Sequence, residues 1–269
     1  MLQSSRMSLQ QVLAQVDRTV SGTTVDPAVG DGLLSIVSVL SEDVSLRKSL
    51  ADASIDARAK GEVLDQLFGS QVDSSALDIV RDAAGLHWAR TQDFVTAVEV
   101  AGVTAVAARA QAESRLGRVE EELFRFARTI ESDHELGWAF GSDSGARAKR
   151  TLVQDLLGSA AAEETVLLAS QAAAHPRGLR VAETLDNYGE VLAARQRRSV
   201  AEVVVARPLS TQQQERLTQA LSRSYGRELV LHVTVDPDVV GGVRVQVGDE
   251  VMSGTIADRL SDVRRRLTS

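Results

Sequence analysis

A mainly α-helical chain, with tandem helical bundles followed by a small α/β unit, is the fold class that three observations predict. Of its 269 residues, 43% are hydrophobic but only 3% are aromatic, so burial must come from Ala, Val and Leu, which suits interlocking helices. A segment beginning Ala57-Arg58-Ala59-Lys60 returns 89 residues later as Ala146-Arg147-Ala148-Lys149, and Gly69 and Gly158 close the two copies. Internal repetition of this kind sets the architecture before any local reading does. Beyond Arg198 the apolar spacing changes from helical to alternating, the period of a strand.

The elements follow in order. Leu9, Leu13, Val16 and Val20 have amphipathic helical spacing rather than the continuous apolar block of a signal peptide. In the repeat, a polar capping segment precedes Leu46 and Leu50 in one copy and Leu136 and Phe140 in the other, with one residue of slippage. Val63, Leu64, Leu67 and Phe68, and the copy from Val153 to Leu157, are expected to be core stripes, because each bundle must bury such a face to fold. Gly69 and Gly158 should stop their helices. Phe94, Val98, Ala101 and Ala105 form one face of a long helix, and Val119, Leu123, Phe126 and Ile130 a face of the next.

In the tail, residues 201 to 210 are β-branched and run into Pro208, with Ser210 as N-cap of a helix ending at Gly226. Leu229 to Val235 alternates as a half-buried strand, Asp236-Pro237-Asp238 and Gly241-Gly242 make a turn, and a further strand spans Gly242 to Glu250. Gly248-Asp249 is a hairpin turn, and Ile256, Leu260, Val263 and Leu267 mark a final amphipathic helix. The expected domains are residues 1–92, 93–200 and 201–269.

Several function classes are excluded. A net charge of −7 and a pI near 5.2 disfavour nucleic acid, whose phosphates need a basic surface. Without cysteine there is no disulfide, thiol catalysis or cysteine-ligated metal. The apolar stretch Val100 to Ala108 is far short of the roughly 20 residues that span a bilayer. His87, His134, His175 and His232 lack metal-ligand spacing, and no G-x-S-x-G elbow or P-loop lysine is present. No cofactor, metal or catalytic residue is expected. An acid/base cluster of His232, Asp236 and Asp238 is the enzymatic alternative, and it requires a concave pocket. Arg195, Arg197 and Arg198, and Arg264, Arg265 and Arg266, cluster at helix ends, where they offset the helix dipole or meet an acidic partner.

Pro208-Leu209-Ser210, the Gln-rich helix after Thr211, Asp236-Pro237, Gly241-Gly242, Gly248-Asp249 and Arg259-Leu260 together resemble the C-terminal signature of the delta subunits of bacterial F-type ATP synthases, the family of the oligomycin-sensitivity-conferring protein. Residues 93 to 200 are similar to that family's helical domain, notably in GRVEEELFRFARTIESDHEL and KRTLVQDLLG. Residues 1 to 92 then read as a partial duplicate of it, a longer layout like that of actinobacterial delta subunits. Ser253 stands where many members carry Asp, and as a serine it can still cap the final helix.

The resemblance implies a non-catalytic stator at the cytoplasmic face of the membrane, joining the catalytic head to a b-type stalk against rotor torque. It implies that the N-terminal helix of an alpha subunit docks on Phe94, Val98, Ala101 and Ala105 together with Val166, Leu167, Ser170 and Ala174. Beta subunits would be further neighbours. Val243, Val245, Arg264, Arg265 and Arg266 are the candidates for holding the stalk, and residues 1–92 would brace it at a second level. An unrelated helical adaptor is the alternative reading.

Overall fold

A computed structural model describes residues 1–21, 25–198, 200–225, 229–236, 242–247 and 250–253. The chain divides into two compact units, Met1–Ala193 and Ala194–Ser269.

The first unit is helical. Helices α1 (Gln3–Thr19), α2 (Pro27–Glu42), α3 (Val44–Ala51), α4 (Ala57–Phe68) and α5 (Ser74–Gly85) lead into the long α6 (Thr91–Ala112). Then come α7 (Leu116–Ser132), α8 (His134–Gly141), α9 (Ala146–Leu157), α10 (Glu163–Ala174) and α11 (Val181–Arg198). Aspartates start many of these helices. Asp26, Asp43, Asp56, Asp73 and Asp133 each accept a hydrogen bond from a first-turn backbone N–H, which satisfies donors that have no partner within the helix.

The helix bounds repeat at the sequence offset. Shifted by 89 residues, α4 and α5 fall on the limits of α9 and α10, and α1, α2 and α3 fall within a few residues of α6, α7 and α8. By the same shift α6 lands on α11, so α6 is both the last helix of the first copy and the first helix of the second.

Burial reflects that double position. Phe94, Val95, Val98, Ala101 and Ala105 of α6 join a core with Val12 and Val16 of α1, Leu33, Ile36 and Val37 of α2, Leu64 of α4 and Ile79 and Val80 of α5. Val103, Val106, Ala107 and Ala110 face a second core with Leu123 and Phe126 of α7, Phe140, Val153, Leu168, Leu185 and Leu192. A helix apolar on all sides is what a fully surrounded position demands. The α2–α6 approach is close. A Cβ on Gly30 would lie 2.8 Å from Val106 Cγ2, and one on Gly102 would lie 2.8 Å from Leu34 Cδ2.

Of the stripes expected to be core, Leu64, Phe68 and Val153 are buried, whereas Val63, Leu67 and Leu156 are 40%, 43% and 45% exposed. The helical stripe is narrower than the run of apolar residues, so its edges reach solvent.

In the second unit, β1 (Val200–Val205) lies between β2 (Val230–Val235), parallel to it, and β3 (Val243–Val247), antiparallel. A fourth strand, β4 (Glu250–Ser253), pairs with β3 and makes the order β2-β1-β3-β4. The sequence reading runs one strand on to Glu250, whereas the structure ends β3 at Val247 and begins a separate strand at Glu250. Ser253, read as a cap, pairs with Arg244 at the end of β4. Helix α12 (Thr211–Tyr225) opens on a reciprocal capping box: Gln213 N–H donates to Ser210 Oγ at 3.3 Å, and Ser210 N–H donates to Gln213 Oε1 at 2.9 Å. Leu221 of α12 packs with Ala201, Val203, Val205, Val245 and Val247. The helix expected at residues 254–267 and the turn residues Pro237, Asp238, Gly241, Gly248 and Asp249 lie outside the described residues.

Candidate docking surfaces

Helix α10 turns Leu168, Ala169, Ala172 and Ala173 into the second core and leaves Val166, Leu167, Ser170 and Ala174 half-buried on its outer side. Val166, Leu167 and Ser170 form part of an open groove of about 910 Å³. Its walls are Leu34, Ser35 and Ser38 of α2, and Arg150 and Gln154 of α9. An α-helix is ~10–12 Å across and rises ~5.4 Å per turn, so half its cross-section sunk over about three turns needs space of this order.

The partner face expected on α6 is not available. Phe94, Val98 and Ala101 are fully buried and Ala105 is 1% exposed, all within the first core beneath α1, α2 and α5. The periodicity marks an apolar face on α6, and what covers it is the chain's own first copy. Helix α2 lies against α6 and supplies a groove wall instead. The residues that sequence reasoning missed are Asp31, Leu34, Ser35 and Ser38, with Arg150 and Gln154. The small residues Gly30 and Gly102, each in a helix where glycine costs stability, were the available signal of that close crossing.

The groove is zipped at one end by polar contacts. Ser38 Oγ lies 3.2 Å from Gln171 Oε1, and Arg150 Nη2 donates to Ser38 Oγ at 3.0 Å. Arg150 Nη2 also lies 3.0 Å from His175 Nε2. Arginine can only donate, so His175 accepts there and carries its proton on Nδ1. Burial first, and then the Arg150 charge, push His175 below its ordinary value, while Glu42 pulls it upward.

At the other end Glu164, fully buried, binds Arg109 Nε at 3.0 Å and Arg115 Nη2 at 2.6 Å. Burial works to raise its carboxyl, but the hydrogen bond from Arg115, one from its own backbone N–H, and the charge and hydrogen bond of Arg109 outweigh it and hold Glu164 below the usual range. Desolvation raises Asp31, Arg109 opposes it, and Asp26, Glu163 and Glu164 reinforce it. A separate buried network holds the α10–α11 loop. Arg177, at φ 50, pairs with Glu99 and donates to Thr96 Oγ1 at 3.0 Å, while Tyr188 donates to Glu99 at 2.6 Å.

In the second unit Val245 is 5% exposed and Val243 half-buried, both on the strand face that meets the core. Val245 sits opposite Val203 in the ladder. Strand alternation turns residues 243, 245 and 247 to one side, so Val245 faces the core of its own unit rather than solvent. Arg264, Arg265 and Arg266 lie outside the described residues. His232 is exposed and faces Glu202 across β1 and β2, and Asp236 N–H donates to Val205 O at 2.9 Å. Among the described residues no group of His, Asp and Glu could hold a metal ion, and no helix is long and apolar enough to cross a membrane.

The family model described as ATP synthase delta (OSCP) subunit matches residues 103–267. The chain is 41% identical to the ATP synthase subunit delta of Streptomyces coelicolor, covering 99% of this chain and 98% of that one. It is 38% identical to the protein of the same name from Thermobifida fusca, covering 98% of each. With that of Kineococcus radiotolerans it shares 39% over 98% of this chain and 95% of the relative.

Proposed function

Because the chain belongs to the ATP synthase delta (OSCP) subunit family, we propose that it is the stator element that ties the catalytic head of the synthase to a b-type peripheral stalk. The observation that carries this reading is likeness to delta subunits along the whole chain, first copy included. Family membership leaves no room for an unrelated adaptor. The role asks for binding alone, and an interface under sustained torque is better made by sunk apolar helix contacts than by exposed ion pairs.

The α10 groove is the surface we assign to the head. An amphipathic helix from the N-terminus of an alpha subunit would rest on Val166, Leu167 and Ser170, with α2 taking the place first given to α6. Beta subunits are the adjoining neighbours. We assign the stalk to residues 201–269, including the segment that carries Arg264, Arg265 and Arg266. The first copy offers Val63 and Leu67, exposed one turn apart on α4, as a second brace. Attached this way, the chain sits peripherally at the cytoplasmic face of the membrane.

The test is depletion and return. Membranes stripped of the chain should keep ATP hydrolysis but lose ATP-driven proton pumping, and adding back the purified protein should restore it. Full coupling in the stripped membranes would remove the stator reading.

A further inference from the structure

The groove on α10 is made by both copies, and the copies are not equivalent there. Shifted back by 89 residues, Val166, Leu167, Ser170 and Ala174 become Leu77, Asp78, Arg81 and Gly85. Leu77 is 3% exposed, and Arg81 pairs with Asp78 and with Asp65. The first copy has thus exchanged the apolar ledge for an ion-paired one. What it contributes instead is α2, laid over α6 beside α10. Ser38 reaches Gln171 and Arg150, so α2 is fixed to the second copy at the groove rather than merely near it.

The groove also carries a charge pattern. Arg115 and Arg118 on its lining are already paired, with Glu164 and Glu122. Asp31, Glu163 and Arg150 have no oppositely charged side chain at salt-bridge distance among the described residues. Asp31 and Glu163 belong to the end where α10 begins, and Arg150 to the end where Ser38 meets Gln171.

We propose that α2 of the first copy is a working wall of the head-docking groove. The occupant is one amphipathic helix of the catalytic head, held between α2 and α10 with a cationic side chain toward Asp31 and Glu163 and a carboxylate toward Arg150. This rests on the docking reading above, and it makes the duplicated segment part of the head contact. Small side chains at Ser35 and Ser38 leave room for the helix. At the position 89 residues beyond Ser35, α7 carries Phe124, which would fill that space.

The test is calorimetry of the intact chain with a synthetic peptide of the alpha subunit's first residues from the same synthase. One peptide per chain is expected. Ser35→Trp, which intrudes from an exposed position, and the charge reversals Asp31→Lys and Arg150→Glu should each weaken binding about tenfold or more, with melting curves showing the fold retained. Val166→Asp should abolish binding, and Asp78→Lys, on the first copy's ledge, should leave it unchanged. Loss with Val166→Asp but full binding by the three other groove variants would overturn the α2 wall while leaving docking on α10 intact. Undiminished binding by Val166→Asp as well would overturn both. Two peptides per chain would show that each copy docks its own helix. A dimer in sedimentation that Val166→Asp dissolves would make a second copy of this chain the occupant. Either result would overturn the proposal.

Discussion

Arg150 and His175 can share their 3.0 Å contact only while the imidazole is neutral, and that makes a single side chain visible in the pH dependence of stability. His175 is 6% exposed, and burial followed by the Arg150 charge lowers its folded-state value, with Glu42 the facing acid. In the unfolded chain it titrates near the ordinary value of about 6.5. Between the two values the unfolded state holds more protons, so stability is complete above about pH 6.5 and is lost as pH falls below it, by at most about 1.4 kcal/mol per pH unit. Glu164 and Glu122, both held below the usual carboxylate range, act in the same direction but only at more acid pH. Urea midpoints measured from pH 7.5 to 5 should therefore decline, and His175→Gln, whose amide oxygen can still accept from Arg150, should flatten that decline. An equal slope in the variant would assign the effect elsewhere.

Among the helices, glycines separate places where two backbones meet from places where nothing does. Gly30 sits where α2 crosses α6, with Val106 Cγ2 at 2.8 Å and Val106 N at 3.3 Å from an added Cβ. Gly61, midway along α4, would meet only Arg81 Cδ at 3.9 Å. Gly30→Val should cost about 1–3 kcal/mol by overpacking, and Gly61→Ala should gain about 0.5–1 kcal/mol by helix propensity. Chemical denaturation of the two variants should give shifts of opposite sign. Sequence periodicity located α4, left α2 unread, and could not show this contrast. It reports which face of a helix needs cover, never which neighbour provides it, and that is why Phe94 and Val98 were legible as apolar and yet misplaced as a partner surface. Strand β4 escaped for a related reason. Four residues after a turn carry too little alternation to show a period, and Ser253 fits a helix cap as well as a strand end.

At the scale of the whole chain, the repeat was legible and its consequence was not, because two copies in a row suggest two bodies joined by a linker. Here they share α6. Cutting before residue 93 would strip α1 to α5 from Phe94, Val95, Ala97, Val98 and Ala101, each fully buried in the intact chain. The bared strip would lie along one side of a helix whose other side holds the second core. An apolar surface of that kind is unstable in water and finds cover by self-association or by rearrangement. The fragment 93–269 should therefore self-associate in sedimentation, bind a hydrophobic dye and melt with less cooperativity than the full chain. A monomeric fragment melting as sharply as the parent would mean that α6 does not need the first copy. Deletion of residues 1–92 consequently tests more than one role at once, and single substitutions on α2 are the cleaner means of asking what the first copy does.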